Sequence, residues 1–148
     1  MDTKFSVAVH TLILISEAPK PFNSTQIAES VGTNPSYIRK ILSLLKKSEM
    51  IESHRGVSGY VLTTSPAQIT MLSIYQAVMD DPKIHLLDIH QNPNDQCIVG
   101  RHIKPMLTKM FDEIEQTFAR ELLQKTLADC ITAMKEGINQ TEKSKYNK

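Results

Sequence analysis

Apolar side chains recur at helical spacing along the N-terminal third of the chain, and breaker residues cut the recurrence into three short pieces. Phe5, Ala8, Val9, Leu12, Ile13 and Ile15 form a broad stripe that predicts a helix starting after Asp2 or Thr3 and ending near Ala18, where Pro19 and Pro21 stop it. A second helix of about two turns opens at Asn23 or Ser24, turns Ile27, Ala28 and Val31 inward and ends at Gly32. In Thr33-Asn34-Pro35-Ser36, Asn34 is the cap and Pro35 takes the first helical position, where its missing N–H costs nothing. The third helix runs to about Ser48 with Ile38, Ile41, Leu42 and Leu45 inward. That leaves Ser36, Tyr37, Arg39, Lys40, Ser43 and Lys47 largely outward.

The period then changes from helical to alternating. Met50 to Arg55 alternates in part, Gly56-Val57-Ser58-Gly59 carries turn chemistry, and Tyr60-Val61-Leu62-Thr63 is rich in strand formers, which predicts a small antiparallel hairpin. Ser65-Pro66-Ala67-Gln68 reads as the capped start of a fourth helix through Ile69, Leu72, Ile74, Tyr75, Val78 and Met79, closed by Asp80-Asp81-Pro82. Residues 83–96 hold an apolar cluster and a loop-like stretch. From about Cys97 a long helix is expected, because Ile103, Leu107, Met110, Ile114 and Phe118 recur at intervals of three and four. Thr126 and Asp129 cap one more helix carrying Leu127, Ile131 and Met134, and past Gly137 the polar tail is expected to fray.

Three short helices followed by a glycine-tipped ribbon is the order of a winged helix-turn-helix, so the expected fold is mainly α with a small β-hairpin wing and a long helix appended. The expected division is 1–65 as the DNA-binding unit, 66–96 as a connecting helix and the segment after it, 97–136 as the long helix and the C-terminal helix, and 137–148 as a flexible tail. The chain has 148 residues, 41% hydrophobic and 22% charged, which excludes a disordered or collagen-like chain. No run of about 18 apolar residues occurs, and Asp2 precedes an apolar stretch with no small-residue cleavage site, so a cytoplasmic chain with no membrane partner is expected. The net charge of +1 says nothing of nucleic acid. Between Thr33 and Tyr60, however, Arg39, Lys40, Lys46, Lys47 and Arg55 outnumber Glu49 and Glu52 to give a local +3.

In such a unit the third helix enters the DNA major groove. Arg39 is placed to read a base, Tyr37 and Lys40 to touch base or backbone, and Ser36 to donate beside them. Ser24, Thr25 and Gln26 open the second helix, whose free amides suit a phosphate oxygen, while His54, Arg55 and Ser58 lie on or beside the wing tip. The competing assignment has Tyr37 covering the core, the Ser and Asn residues capping, and Arg55 solvated, with the winged helix serving as a protein-interaction module without DNA binding.

The stretch Phe5 to Leu62, with IAESVGTNPSYIRKILSLLKKSEMIESHRGVSGYVL at its centre, resembles the DNA-binding domain of the Rrf2 family of bacterial transcriptional regulators, in its small YwnA-like branch. SPAQITMLSIYQAV and NPNDQCIVGRHI are similar to that family's helix after the wing and its effector-region segment, so the resemblance spans about residues 3–136. It implies a homodimeric repressor on a near-palindromic operator, with the long helix of about Cys97 to Leu123 dimerising. Two departures stand out. The wing Arg55-Gly56-Val57-Ser58-Gly59-Tyr60 lacks one glycine of the family's usual run, and the three closely spaced cysteines of iron–sulfur members are reduced to Cys97.

Cys97 falls near the start of the long helix, where the helix dipole favours a thiolate, which makes it a candidate redox sensor; the alternative is a small buried hydrophobe. Cys130 lies on an apolar stripe. His85, His90, Cys97 and His102 match no compact zinc spacing, so neither a metal nor another cofactor is expected. No phosphate-binding glycine loop, nucleophile elbow or zinc-protease motif occurs, and Asp112, Glu113 and Glu115 read as the wet face of the long helix. Enzymatic activity is not expected.

Overall fold

The structure is a computed structural model that describes residues 2–53, 56 and 58–146. Its elements are α1 (Lys4–Glu17), α2 (Ser24–Val31), α3 (Pro35–Lys47), β1 (Ile51–Glu52), β2 (Val61–Leu62), α4 (Met71–Met79), α5 (Ile98–Gln124) and α6 (Leu127–Tyr146). β1 and β2 pair antiparallel, Ile51 opposite Leu62 and Glu52 opposite Val61, so the hairpin stands where the alternation places it.

One apolar core joins the N-terminal helices to elements far along the chain. Leu12 of α1, Ile27 of α2, and Ile38, Ile41, Leu42 and Leu45 of α3 are buried together with Ile74 and Val78 of α4 and Leu127 and Ile131 of α6. Each large aliphatic side chain removed from water contributes about 1.5–3 kcal/mol, which offsets the backbone entropy of short helices that would not persist alone. Thr11 is fully buried in the same core, and its hydroxyl finds no hydrogen-bond partner among the described residues. A desolvated orphan hydroxyl costs about 1–3 kcal/mol. Thr11→Val, which keeps the branched shape, is therefore expected to raise the urea midpoint and add on the order of 1 kcal/mol to unfolding stability. A lowered midpoint would show that the hydroxyl has a partner in solution.

Three expectations are corrected. The fourth helix begins at Met71, capped by the Thr70 hydroxyl accepting from Ser73 N–H, and Pro66–Gln68 forms only a 3₁₀ turn. The chain is extended between them because it pairs elsewhere: Leu127 N–H donates to the Ile69 carbonyl at 2.8 Å and Met71 N–H to the Lys125 carbonyl at 2.8 Å. Gln68 accepts from the Thr64 hydroxyl and so leaves the Ser65 end uncapped. The segment past Gly137 is helical through Tyr146. Its residues from 138 to 145 are all exposed, but a helix anchored by Leu127 and Ile131 propagates without a new nucleation cost, and Lys145 pairs with Glu142 one turn back. Glu115 is not on a wet face: it is 6% exposed and its carboxylate accepts from Leu86 N–H, which ties the 83–96 segment to α5.

α5 is held to the N-terminal unit by an aromatic stack. Tyr75 of α4 meets Phe5 of α1 at 5.3 Å and Phe118 of α5 at 5.7 Å, both edge-to-face. Pro105 lies inside α5 and offers no N–H to the Arg101 carbonyl one turn earlier. No helix among the described residues is long and apolar enough to cross a membrane.

Candidate nucleic-acid interface

The second helix is started by a reciprocal cap. Asn23 Oδ1 accepts from Gln26 N–H at 2.9 Å, and Gln26 Oε1 accepts from Asn23 N–H at 3.0 Å. Asn23 is thus the cap, and Gln26, though exposed, has its carbonyl oxygen held and only its amide hydrogens available. Half-buried Ser24 and exposed Thr25 carry first-turn N–H groups that no carbonyl of the helix can reach. Gly32, at φ 83°, closes α2 in the left-handed conformation, and two residues later Asn34 Oδ1 accepts from Tyr37 N–H at 2.8 Å to start α3. This short turn fixes α3 across α2.

α3 has no acidic residue, and its two sides are chemically opposite. Ile38, Ile41, Leu42 and Leu45 are almost completely buried, whereas Ser36, Arg39 and Lys40 are exposed. Tyr37 is half-buried against the core, so its ring serves packing as well as the surface. Ser43, outward as its spacing from 36 and 40 predicts, and Lys46, also exposed, extend the same polar side. Arg39 and Lys40 have no carboxylate partner among the described residues. Lys47 is instead paired at 2.9 Å with Asp80, the left-handed residue that ends α4.

The wing root is locked by close approach. Gly59 has φ 114°, and a Cβ there would lie 2.6 Å from the Pro21 Cβ and 2.9 Å from the Phe22 carbonyl oxygen, so only glycine lets the returning strand pass the loop before α2. Exposed Ser58 is thereby placed on the side of the molecule that carries the start of α2. His54 and Arg55 lie outside the described residues.

Cys97 stands at the N-cap of α5, and its thiol is exposed. The backbone N–H groups of Gly100 and Val99 hold its pKa below the ordinary thiol value. Burial and then the charge of Asp129 push Cys130 up, and its sulfur packs 3.6 Å from that of Met71. A lowered pKa enlarges the thiolate fraction near neutral pH, and a raised one shrinks it. Brief iodoacetamide treatment of the native protein at about pH 7 is therefore expected to alkylate Cys97 well before Cys130, as peptide mass spectrometry would show; equal labelling would contradict this difference in ionisation.

A helix-turn-helix whose last helix turns an acid-free cationic side outward, followed by an antiparallel ribbon docked beside it, defines a winged helix-turn-helix protein. The Rrf2 family model, described as iron-dependent transcriptional regulator, matches residues 1–133, and the chain belongs to that family. It is 39% identical over 129 residues to YwnA of Bacillus subtilis (strain 168), by name an HTH-type transcriptional regulator; the match covers 87% of this chain and 95% of YwnA. A crystal structure described as a DNA-binding protein superposes with a TM-score of 0.72 at 37% identity, covering 86% of this chain and 98% of that one. A second, from Lactobacillus plantarum, shares the fold over 100% of both chains, with a TM-score of 0.77 at 22% identity.

The iron in the family description requires donors. Cys97 is the sole cysteine of its segment, and among the described residues no three His, Cys, Asp or Glu side chains converge on a point that could hold a metal ion. Among the described residues the donor set does not fit an iron centre.

Proposed function

We propose that the protein is a homodimeric, sequence-specific repressor that occupies a near-palindromic operator and is relieved by oxidation of Cys97. The observation that carries the DNA-reading part is the outward side of α3: Arg39 and Lys40 stand exposed, with no carboxylate partner among the described residues, over a helix whose opposite side is sealed into the core. Arg39 reads a base edge in the major groove, Ser36, Tyr37 and Lys40 contact base or backbone, and the first turn of α2 at Ser24, Thr25 and Gln26 receives a phosphate oxygen. Ser58 and, from the sequence, His54 and Arg55 approach the flanking groove.

Dimerisation is supported by α5. Val99, Met106, Met110 and Ile114 form an exposed apolar stripe along it, with Val99 65% and Met110 50% exposed, more than a lone chain leaves to water on one helix face. For relief, the Cys97 thiolate attacks one oxygen of a peroxide, the O–O bond breaks, and the products are a sulfenic acid and hydroxide, which is protonated to water. Selecting bound duplexes from a random pool tests the reading. One inverted-repeat sequence whose affinity falls with added salt is expected, whereas salt-independent or absent DNA binding would favour a protein-interaction role. Peroxide is expected to release the unchanged protein from that sequence and to leave Cys97→Ser bound.

A further inference from the structure

Apart from the single residues Lys20, Arg120 and Lys143, cations without a carboxylate partner among the described residues gather in two places. One is α3; the other is the first half of α5, where Arg101, Lys104 and Lys109 are exposed, while Lys4, Lys47, Lys83, Lys125, Lys135 and Lys145 are each paired. Arg101 and Lys104, three residues apart, are neighbours on the helix surface, and like charges at that spacing oppose the helix rather than support it. These side chains, with Asp112 that pairs with Lys83, line a cleft of about 770 Å³ between α5 and the segment that carries Gln91, Pro93 and Asp95, so three cations face two carboxylates in a volume suited to a small molecule.

The cleft is shaped by two backbone features. The Asn94 carbonyl crosses α5 so closely that a Cβ on Gly100 would lie 2.1 Å from its oxygen, which holds the segment against the helix. Pro105, in the wall of the cleft, offers no N–H to the Arg101 carbonyl and so loosens the helix at this point. Arg101 and Met110 lie about half a turn apart around α5, so covering the apolar stripe leaves the cleft open.

We propose that this cleft binds a small polyvalent anion bearing carboxylate or phosphate groups, held by Arg101 and Lys104 with Lys109 at the rim. The full chain, labelled with ¹⁵N, is titrated with inorganic phosphate and separately with citrate at constant ionic strength. Saturable shifts of the Gly100, Arg101 and Thr108 amides are expected with at least one of them. Affinity is expected to fall about tenfold or more in the Arg101→Ala/Lys104→Ala variant, which loses charge-assisted hydrogen bonds at exposed positions. Gly100→Ala is expected to weaken binding comparably with every charge retained, because it pushes residue 94 off the helix. The proposal is overturned if neither anion saturates at concentrations on the order of 10 mM. It is equally overturned if the double variant binds as well as the unchanged chain, or if these amides respond only to duplex DNA.

Discussion

Met110→Glu combined with Ile114→Glu is expected to turn the proposed dimer into a folded monomer. Both side chains sit in the middle of the exposed stripe of α5, 50% and 48% open to solvent in the single chain, so glutamate there meets water in the monomer and remains a good helix former. In a dimer that covers the stripe, the two carboxylates are desolvated without a partner, at a cost of about 3–5 kcal/mol for an uncompensated charge. The dissociation constant is expected to rise by more than about a hundredfold. Sedimentation velocity at micromolar protein reads the outcome, with circular dichroism verifying that the helices persist. A doubly substituted chain that still sediments as a dimer would place the contact elsewhere.

The second large effect is on DNA. Arg39→Ala is expected to lose about 1–3 kcal/mol on the selected duplex, roughly five- to 150-fold, and little more than one charge's worth on random DNA. Lys40→Ala is expected to weaken both duplexes more evenly and to reduce the salt dependence by about one unit if it meets a phosphate. Fluorescence anisotropy on the two duplexes separates the cases. An equal loss on both for Arg39→Ala would make that residue a backbone contact. Neither side chain takes part in the core, so unfolding midpoints should stay close to those of the unchanged chain.

How far the sequence could be read depended on whether the deciding interaction was local. The start of α3 needs only Asn34 and Pro35, and its burial follows from the spacing of Ile38, Ile41, Leu42 and Leu45, so that element and its cationic side were legible in the residues themselves. The beginning of α4 was not, because the capping pattern at Ser65 to Gln68 is overruled by pairing with residues more than fifty positions away. Glu115 is indistinguishable in sequence from Asp112 and Glu113, and only the return of Leu86 N–H buries it. In the candidate site, the cap at Asn23 was visible as one of two choices, while the approach of Gly59 to Pro21 and Phe22 joins segments whose nearness no short pattern encodes. The polar run after Gly137 looked unstructured because composition reports contacts with a core, and helix continuation from an anchored turn needs none.

The two short backbone contacts that join Ile69 and Met71 to Leu127 and Lys125 have a consequence for dissection of the molecule. They stitch the C-terminal helix to the chain just beyond the wing, and completely buried Leu127 fills the space beneath. A fragment cut anywhere before position 127 would therefore carry an open hole and frayed backbone at the floor of its DNA reader. The reader and the first turns of the C-terminal helix are therefore expected to unfold together.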